Sequence, residues 1–301
     1  MNRPIRFVGF VALSLLMTAC DPGSSTTDDG VEIVVTTTVL GDILQSLVGS
    51  DATVQVLMPI GADPHDFQAS ASQVADLNKA DLVVANGLGL EEGLESVLAA
   101  SAEDGARVLY VGPLVDPLPF GHDPDLPDPH VWLDPVRMMD AVDAILSELE
   151  SVDGSVDWGA SGDVYKEELA VADWELQALL GTVPLWSRML VTNHDSLRYF
   201  ANRYGFEVVG VVIPGGSTLA DPSSEEMANL VAVIEASEIS AIFAETSQSA
   251  LLAEAVAAEV GRDVEVVELY TASLGPSGSG AETYLKMLRV NADRVASALG
   301  S

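Results

Sequence analysis

From Val31 onward the chain alternates, twice over, between short β-branched apolar runs and segments of helical period, and that alternation leaves few folds open. The first set places strands at 31–39, 53–58, 81–86 and 107–111, with helices at 40–48, 70–79 and 90–100 between them. The second set places strands at 189–192, 207–213, 241–244 and 264–269, with helices at 196–204, 224–236, 249–260 and 282–299. Strands separated by helices form βαβ units and parallel sheets. Between the sets lie an irregular Pro- and Asp-rich stretch, 112–134, a helix at 136–149, and one long helix at 163–180. The last carries Val164, Leu169, Ala172, Leu176 and Leu179 at three-to-four spacing, with Pro184 just beyond it. The expected fold is therefore α/β: two lobes with parallel or mixed sheets flanked by helices, joined by a single long linking helix. The lobes are expected over 31–160 and 184–301, with the linker over 161–183. A chain of 301 residues is more than one core ordinarily serves, which agrees.

What precedes Val31 is of another kind. Arg3 and Arg6 lead into an apolar run from Phe7 to Met17, too short to span a bilayer comfortably, and it reads as a signal-peptide core. It ends in Leu16-Met17-Thr18-Ala19-Cys20, which resembles a bacterial lipobox and holds the only cysteine of the chain. Residues 1–20 are thus expected to be a lipoprotein signal peptide, with Cys20 lipidated as the first mature residue. Residues 21–30, small and polar, read as a flexible tether. The expected location is extracytoplasmic, on the cell membrane. With a single cysteine no internal disulfide and no thiolate metal site is possible, so a transition metal would have to be held by His, Asp or Glu.

The chain carries 46 acidic residues against 13 basic ones, a net charge of −33. That excludes nucleic acid as a natural partner, because phosphate binding needs a basic surface. It does not by itself argue for metal binding, since an acid-rich surface is also simply well solvated.

The histidines are more informative. His65 lies in Gly61-Ala62-Asp63-Pro64-His65-Asp66-Phe67, His130 in Asp128-Pro129-His130-Val131-Trp132-Leu133-Asp134-Pro135, and His194 in Thr192-Asn193-His194-Asp195. Each is expected where a strand or loop ends and a helix begins, the edge at which open α/β sheets bind ligands. Neutral imidazole is a common transition-metal ligand, and a nearby carboxylate can orient its other nitrogen. His122, in Gly121-His122-Asp123-Pro124-Asp125, lacks such a frame and is expected at most to collect metal weakly.

With these motifs the chain resembles the metal-binding components of bacterial zinc and manganese importers of the ATP-driven (ABC) class, the cluster A-I solute-binding proteins. The matching stretches are Pro64-His65-Asp66-Phe67, 128–135, 192–200, 242–246 and 270–280, in the family's order. The resemblance implies two lobes on a rigid helix, with the metal in the cleft between them, and His65, His130 and His194 as ligands. It implies Zn2+ more readily than Mn2+, because the third ligand is His194 and many manganese binders carry a carboxylate there. Its usual fourth ligand is an aspartate, where this chain has Ala272 in Thr271-Ala272-Ser273. Water or Glu245 is left for that place, with Glu245 alternatively standing behind a ligand. The implied partner is a metal permease in the membrane, the implied state a monomer. A zinc-dependent hydrolase is the rival, since three histidines with an open fourth position also describe catalytic zinc. The chain has neither His-Glu-x-x-His nor Gly-x-Ser-x-Gly to support it.

Overall fold

The computed structural model describes residues 30–121 and 123–300. Cys20, the signal peptide, all of the tether but Gly30, and His122 lie outside the described residues. Among the described residues, no helix is long and apolar enough to cross a membrane.

The N-terminal lobe is built from β1 (Val31–Val35), α1 (Thr38–Val48), β2 (Ala52–Val56), α2 (Ala71–Leu77), β3 (Leu82–Ala85), α3 (Glu95–Glu103) and β4 (Val108–Tyr110). A short antiparallel hairpin follows, β5 (Pro119–Phe120) and β6 (Asp123–Pro127), then α4 (Arg137–Val152) and the long α5 (Gly159–Leu180). The C-terminal lobe runs β7 (Met189–His194), α6 (Arg198–Tyr204), β8 (Glu207–Ile213), α7 (Ser224–Ala236), β9 (Ala241–Glu245), α8 (Leu251–Glu259), β10 (Glu265–Leu269) and α9 (Tyr284–Leu299).

Each lobe holds one four-stranded, wholly parallel sheet, ordered β2-β1-β3-β4 and β10-β9-β7-β8. Taken in chain order within each lobe, the two are the same arrangement, second-first-third-fourth. The order therefore reverses beside the first strand of each, β1 and β7. A loop leaving that strand turns away from one leaving its third-strand neighbour, and the crevice between them is where such sheets take ligands. The central strands are apolar on both faces, as helices on both sides require: β3 is Leu-Val-Val-Ala and buried throughout.

Three local features depart from the periodicity. The strand expected over 31–39 stops at Val35, because Thr37 caps α1 by accepting from the Leu40 amide. The helix expected from residue 90 begins only at Glu95. Before it the chain makes a left-handed turn, Leu88 at φ 59° between two glycines, around the buried Glu91 carboxylate. That carboxylate accepts from the Asn86 and Gly87 amides and from Thr36 Oγ1, at 2.7–2.9 Å. The stretch 112–134 is not irregular throughout, since it contains the β5–β6 hairpin.

α5 is built into the molecule rather than standing clear of it. It packs on α9, α4 and α1, and it buries Tyr165, Leu169, Ala172, Leu176 and Leu180. Val164, counted on the apolar stripe by spacing alone, faces solvent, and Tyr165 takes the inward place. The largest apolar cluster runs from Ile33 and Leu82 through Trp132 and Leu169 to Tyr199, Phe243 and Tyr284. It thus spans both lobes, whereas two smaller clusters belong to one lobe each.

Candidate metal centre

His194 ends β7, on the strand where the C-terminal sheet reverses its order. His130 follows the β5–β6 hairpin, and His65 sits in the turn between β2 and α2. The structure brings all three together. Their side chains are buried, their ring centroids lie 4.8–5.6 Å apart, and a potential ligand atom on each falls within 4.8 Å of the others.

Each ring has one nitrogen engaged and one free. His65 Nδ1 meets Glu92 Oε1 at 3.2 Å, His130 Nδ1 meets Asp128 Oδ1 at 2.7 Å, and His194 Nδ1 meets Glu245 Oε1 at 3.2 Å. The three Nε2 atoms are buried and have no hydrogen-bond partner among the described residues. A carboxylate on Nδ1 places the proton there and leaves the Nε2 lone pair exposed. Three such lone pairs converging in a water-poor place would each be costly without a cation between them. The carboxylates behind the rings supply the compensating negative charge.

Each histidine is positioned by its neighbours. Asp128 Oδ1 accepts both the His130 amide and its Nδ1, and the Tyr199 hydroxyl donates to the Asp128 carbonyl at 2.7 Å. From the end of β3, Asn86 Nδ2 donates to the Pro129 carbonyl at 2.9 Å, so the Glu91 turn also steadies His130. Gly93 lets Glu92 reach His65, since a side chain at 93 would place its Cβ 2.3 Å from the Phe67 carbonyl oxygen. Glu245 Oε1 accepts from His194, from Ser196 Oγ and from Thr271 Oγ1, and its amide is held by Asn193 Oδ1.

The titration behaviour follows. Burial, helped by the charges His130 and His194 would carry, pushes the His65 imidazole down to about 4. Burial pushes His194 the same way, but the Glu245 charge and its hydrogen bond outweigh it and hold His194 above its ordinary value. Burial of Glu245 would raise its carboxyl; His194 and the two hydroxyl donors overcome that and bring it to about 2. The partner of His194 is therefore a carboxylate at neutral pH.

Glu245 does not join the converging trio. It stands behind His194 with Oε1 occupied, and its buried Oε2 has no hydrogen-bond partner among the described residues. Ala272 lies between Thr271, which holds Glu245, and Ser273, which holds Thr38 and the Gly61 amide. Sequence reasoning found the histidines but not Glu92 as a partner. Asp63 and Asp66 are nearer His65 in the chain, yet Asp66 is exposed and Glu92, 27 residues on, makes the contact. Only the Asp128–His130 pair is local, two residues apart, and that spacing was readable.

The family described as "ZnuA: Zinc-uptake complex component A periplasmic" matches residues 33–298. The manganese-binding lipoprotein MntA of Bacillus subtilis is 32% identical over 298 residues, covering 96% of each chain. The zinc-binding protein TroA of Treponema pallidum is 32% identical over 282 residues, covering 90% of each. The solved structure of periplasmic zinc-binding TroA from Treponema pallidum superposes with a TM-score of 0.85 at 29% identity, covering 90% of this chain and all (100%) of that one. A Mn-bound periplasmic metal-binding protein from Candidatus Liberibacter asiaticus gives a TM-score of 0.79 at 25% identity, covering 89% of this chain and 99% of that one. The chain belongs to the ZnuA family of metal-uptake components.

Proposed function

We propose that this protein captures one divalent transition metal ion, zinc, on the Nε2 atoms of His65, His130 and His194 and delivers it to an ABC-type permease. The observation that carries the reading is the set of three buried Nε2 atoms without partners, each on a ring whose Nδ1 meets a carboxylate. Zinc–imidazole bonds of about 2.0–2.1 Å would draw the three rings, whose potential ligand atoms lie within 4.8 Å of one another, closer together. Zinc suits an all-imidazole set, whereas manganese prefers more oxygen donors. Manganese is the second reading, supported by the MntA relatives, which are named manganese-binding lipoproteins. Water takes the fourth place in our reading, with Glu245 orienting His194 rather than binding. The protein acts as a monomeric carrier and not an enzyme, anchored outside the membrane through Cys20. Its lobes cover 31–160 and 184–301, on a linker over 161–183.

Elemental analysis of protein purified without added metal, followed by zinc–manganese competition, tests this. One ion per chain, with zinc displacing manganese, is the expected result. Manganese retained against equimolar zinc would transfer the assignment to manganese, and no bound metal under any loading would overturn the reading.

A further inference from the structure

The three metal-binding histidines are not held alike, and the difference suggests how the ion leaves. His130 and His194 are both braced by the cluster that spans the lobes. Trp132 and Tyr199, which flank them in sequence, are members of it. Trp132 Nε1 donates across to the Thr271 carbonyl at 2.7 Å, and the Tyr284 hydroxyl donates to the Trp132 carbonyl at 2.5 Å. These two ligands sit on the side where the lobes share a core.

The His65 turn is different. Its apolar anchors, Ala62 and Phe67, pack into a cluster confined to the N-terminal lobe. The loops it faces, after β8 and β9, adjoin the cluster confined to the C-terminal lobe. Polar contacts bridge the seam. Asp63 Oδ2 accepts from Thr218 Oγ1 at 2.6 Å and from Gln248 Nε2 at 2.8 Å, while its Oδ1 accepts from the His65 amide at 3.0 Å. Two residues earlier, the Gly61 amide donates to Ser273 Oγ at 2.9 Å. The carboxylate paired with His65, on Glu92, is 39% exposed, whereas Asp128 and Glu245 are buried. Of the three carboxylates behind the rings, solvent thus reaches the one behind His65.

We propose that His65 is the detachable ligand and that Asp63 is its latch. One carboxylate holds the backbone of the ligand with one oxygen and two loops of the opposite lobe with the other. Parting the lobes at this seam breaks hydrogen bonds without opening a shared apolar core, and it draws His65 away from a His130–His194 pair that stays in place. Asp63 is a positioning residue: its grip sets how fast the ion is released, not how it is recognised. The proposal rests on the assignment of the three histidines to the metal.

The test uses the C-terminal partners of the latch, which leaves Asp63, His65 and the other ligands untouched. Zinc is loaded on wild type, on the double variant Thr218→Val/Gln248→Ala and on Thr218→Ser. Its release to excess chelator is followed by stopped flow, and zinc association is measured separately. Hydrogen bonds to a charged acceptor are the stronger kind, so the double variant is expected to release zinc about tenfold faster or more. Association should change by less than about twofold, one ion should still bind, and Thr218→Ser, which keeps the hydroxyl, should retain the wild-type rate. Release within about twofold of wild type in the double variant would refute the latch while leaving the metal site standing. Loss of zinc binding in a double variant with an unchanged far-UV spectrum would also refute it, because the contacts would then build the site rather than close it. A wild type that binds no zinc would bring down the site assignment and the latch with it.

Discussion

Replacing Glu245 with Gln separates a ligand from a residue that aims one. The substitution keeps the volume and an acceptor oxygen, so the imidazole and the two hydroxyls that meet Oε1 can still be answered: His194 Nδ1, Ser196 Oγ and Thr271 Oγ1. What goes is the negative charge, in a side chain only 3% exposed. A charge-assisted hydrogen bond is roughly twice as strong as a neutral one, and removing the carboxylate behind a metal-bound histidine typically costs about 10- to 100-fold in affinity. That corresponds to about 1.4–2.7 kcal/mol. His194→Ala deletes a ligand outright and should cost more than about 100-fold by the same yardstick. Zinc affinity is best measured at about pH 8 by competition with a chromophoric chelator, above the range in which histidine protons compete. A second readout is independent of metal. The Glu245 charge is what holds His194 above its ordinary value against burial, so in metal-free Glu245→Gln the His194 resonance should titrate at lower pH than in wild type. Affinity within about twofold of wild type would refute the orienting role, and a loss as deep as that of His194→Ala would make Glu245 a ligand.

Other perturbations follow from the same geometry. Zinc affinity should fall as pH drops through the raised His194 value, because Nε2 cannot hold a proton and a metal together. His65, held down to about 4, should cost the metal no proton above about pH 5; an affinity that stayed level from pH 8 to 6 would contradict the His194 dependence. The raised His194 value also stabilises the metal-free fold, fully below 6.5 and fading as pH rises through the folded value. Asp173 on α5 accepts from Arg203 Nε at 2.8 Å, from the Tyr204 hydroxyl at 3.2 Å and from Gln177 Nε2 at 3.0 Å. Asp173→Ala should lower stability in urea unfolding by about 2 kcal/mol, less than a fully buried pair because Arg203 stays 29% exposed; no shift in the midpoint would refute it. Ala272→Asp adds an oxygen donor next to the residue that holds Glu245, so competition assays should show manganese gaining affinity relative to zinc.

The two-lobe architecture was legible because β-branched runs and helical periods alternate strongly, and β8 and α7 fall where the pattern places them, at Glu207–Ile213 and Ser224–Ala236. The histidines were legible because Asp stands close to each in the chain, with Pro directly before His65 and His130. What periodicity could not reveal was pairing across distance. Glu245 reaches His194 from 51 residues away because β9 lies beside β7 in the sheet, a neighbour relation that strand order creates and local spacing does not. The late start of α3 was hidden for a related reason. Leu90, Leu94 and Leu98 carry a helical spacing, but the buried Glu91 carboxylate gathers the preceding amides into a left-handed turn. Cys20 and His122 were singled out by sequence and lie outside the described residues.

X-ray absorption at the zinc edge, on protein loaded with one equivalent of zinc, tests the central claim most directly. The expected result is three imidazole nitrogens at about 2.0–2.1 Å with one oxygen completing a four-coordinate site. Imidazole scattering should also be reduced in each of His65→Ala, His130→Ala and His194→Ala. A shell of oxygens alone, or a spectrum unchanged by all three substitutions, would place the metal elsewhere and contradict the account.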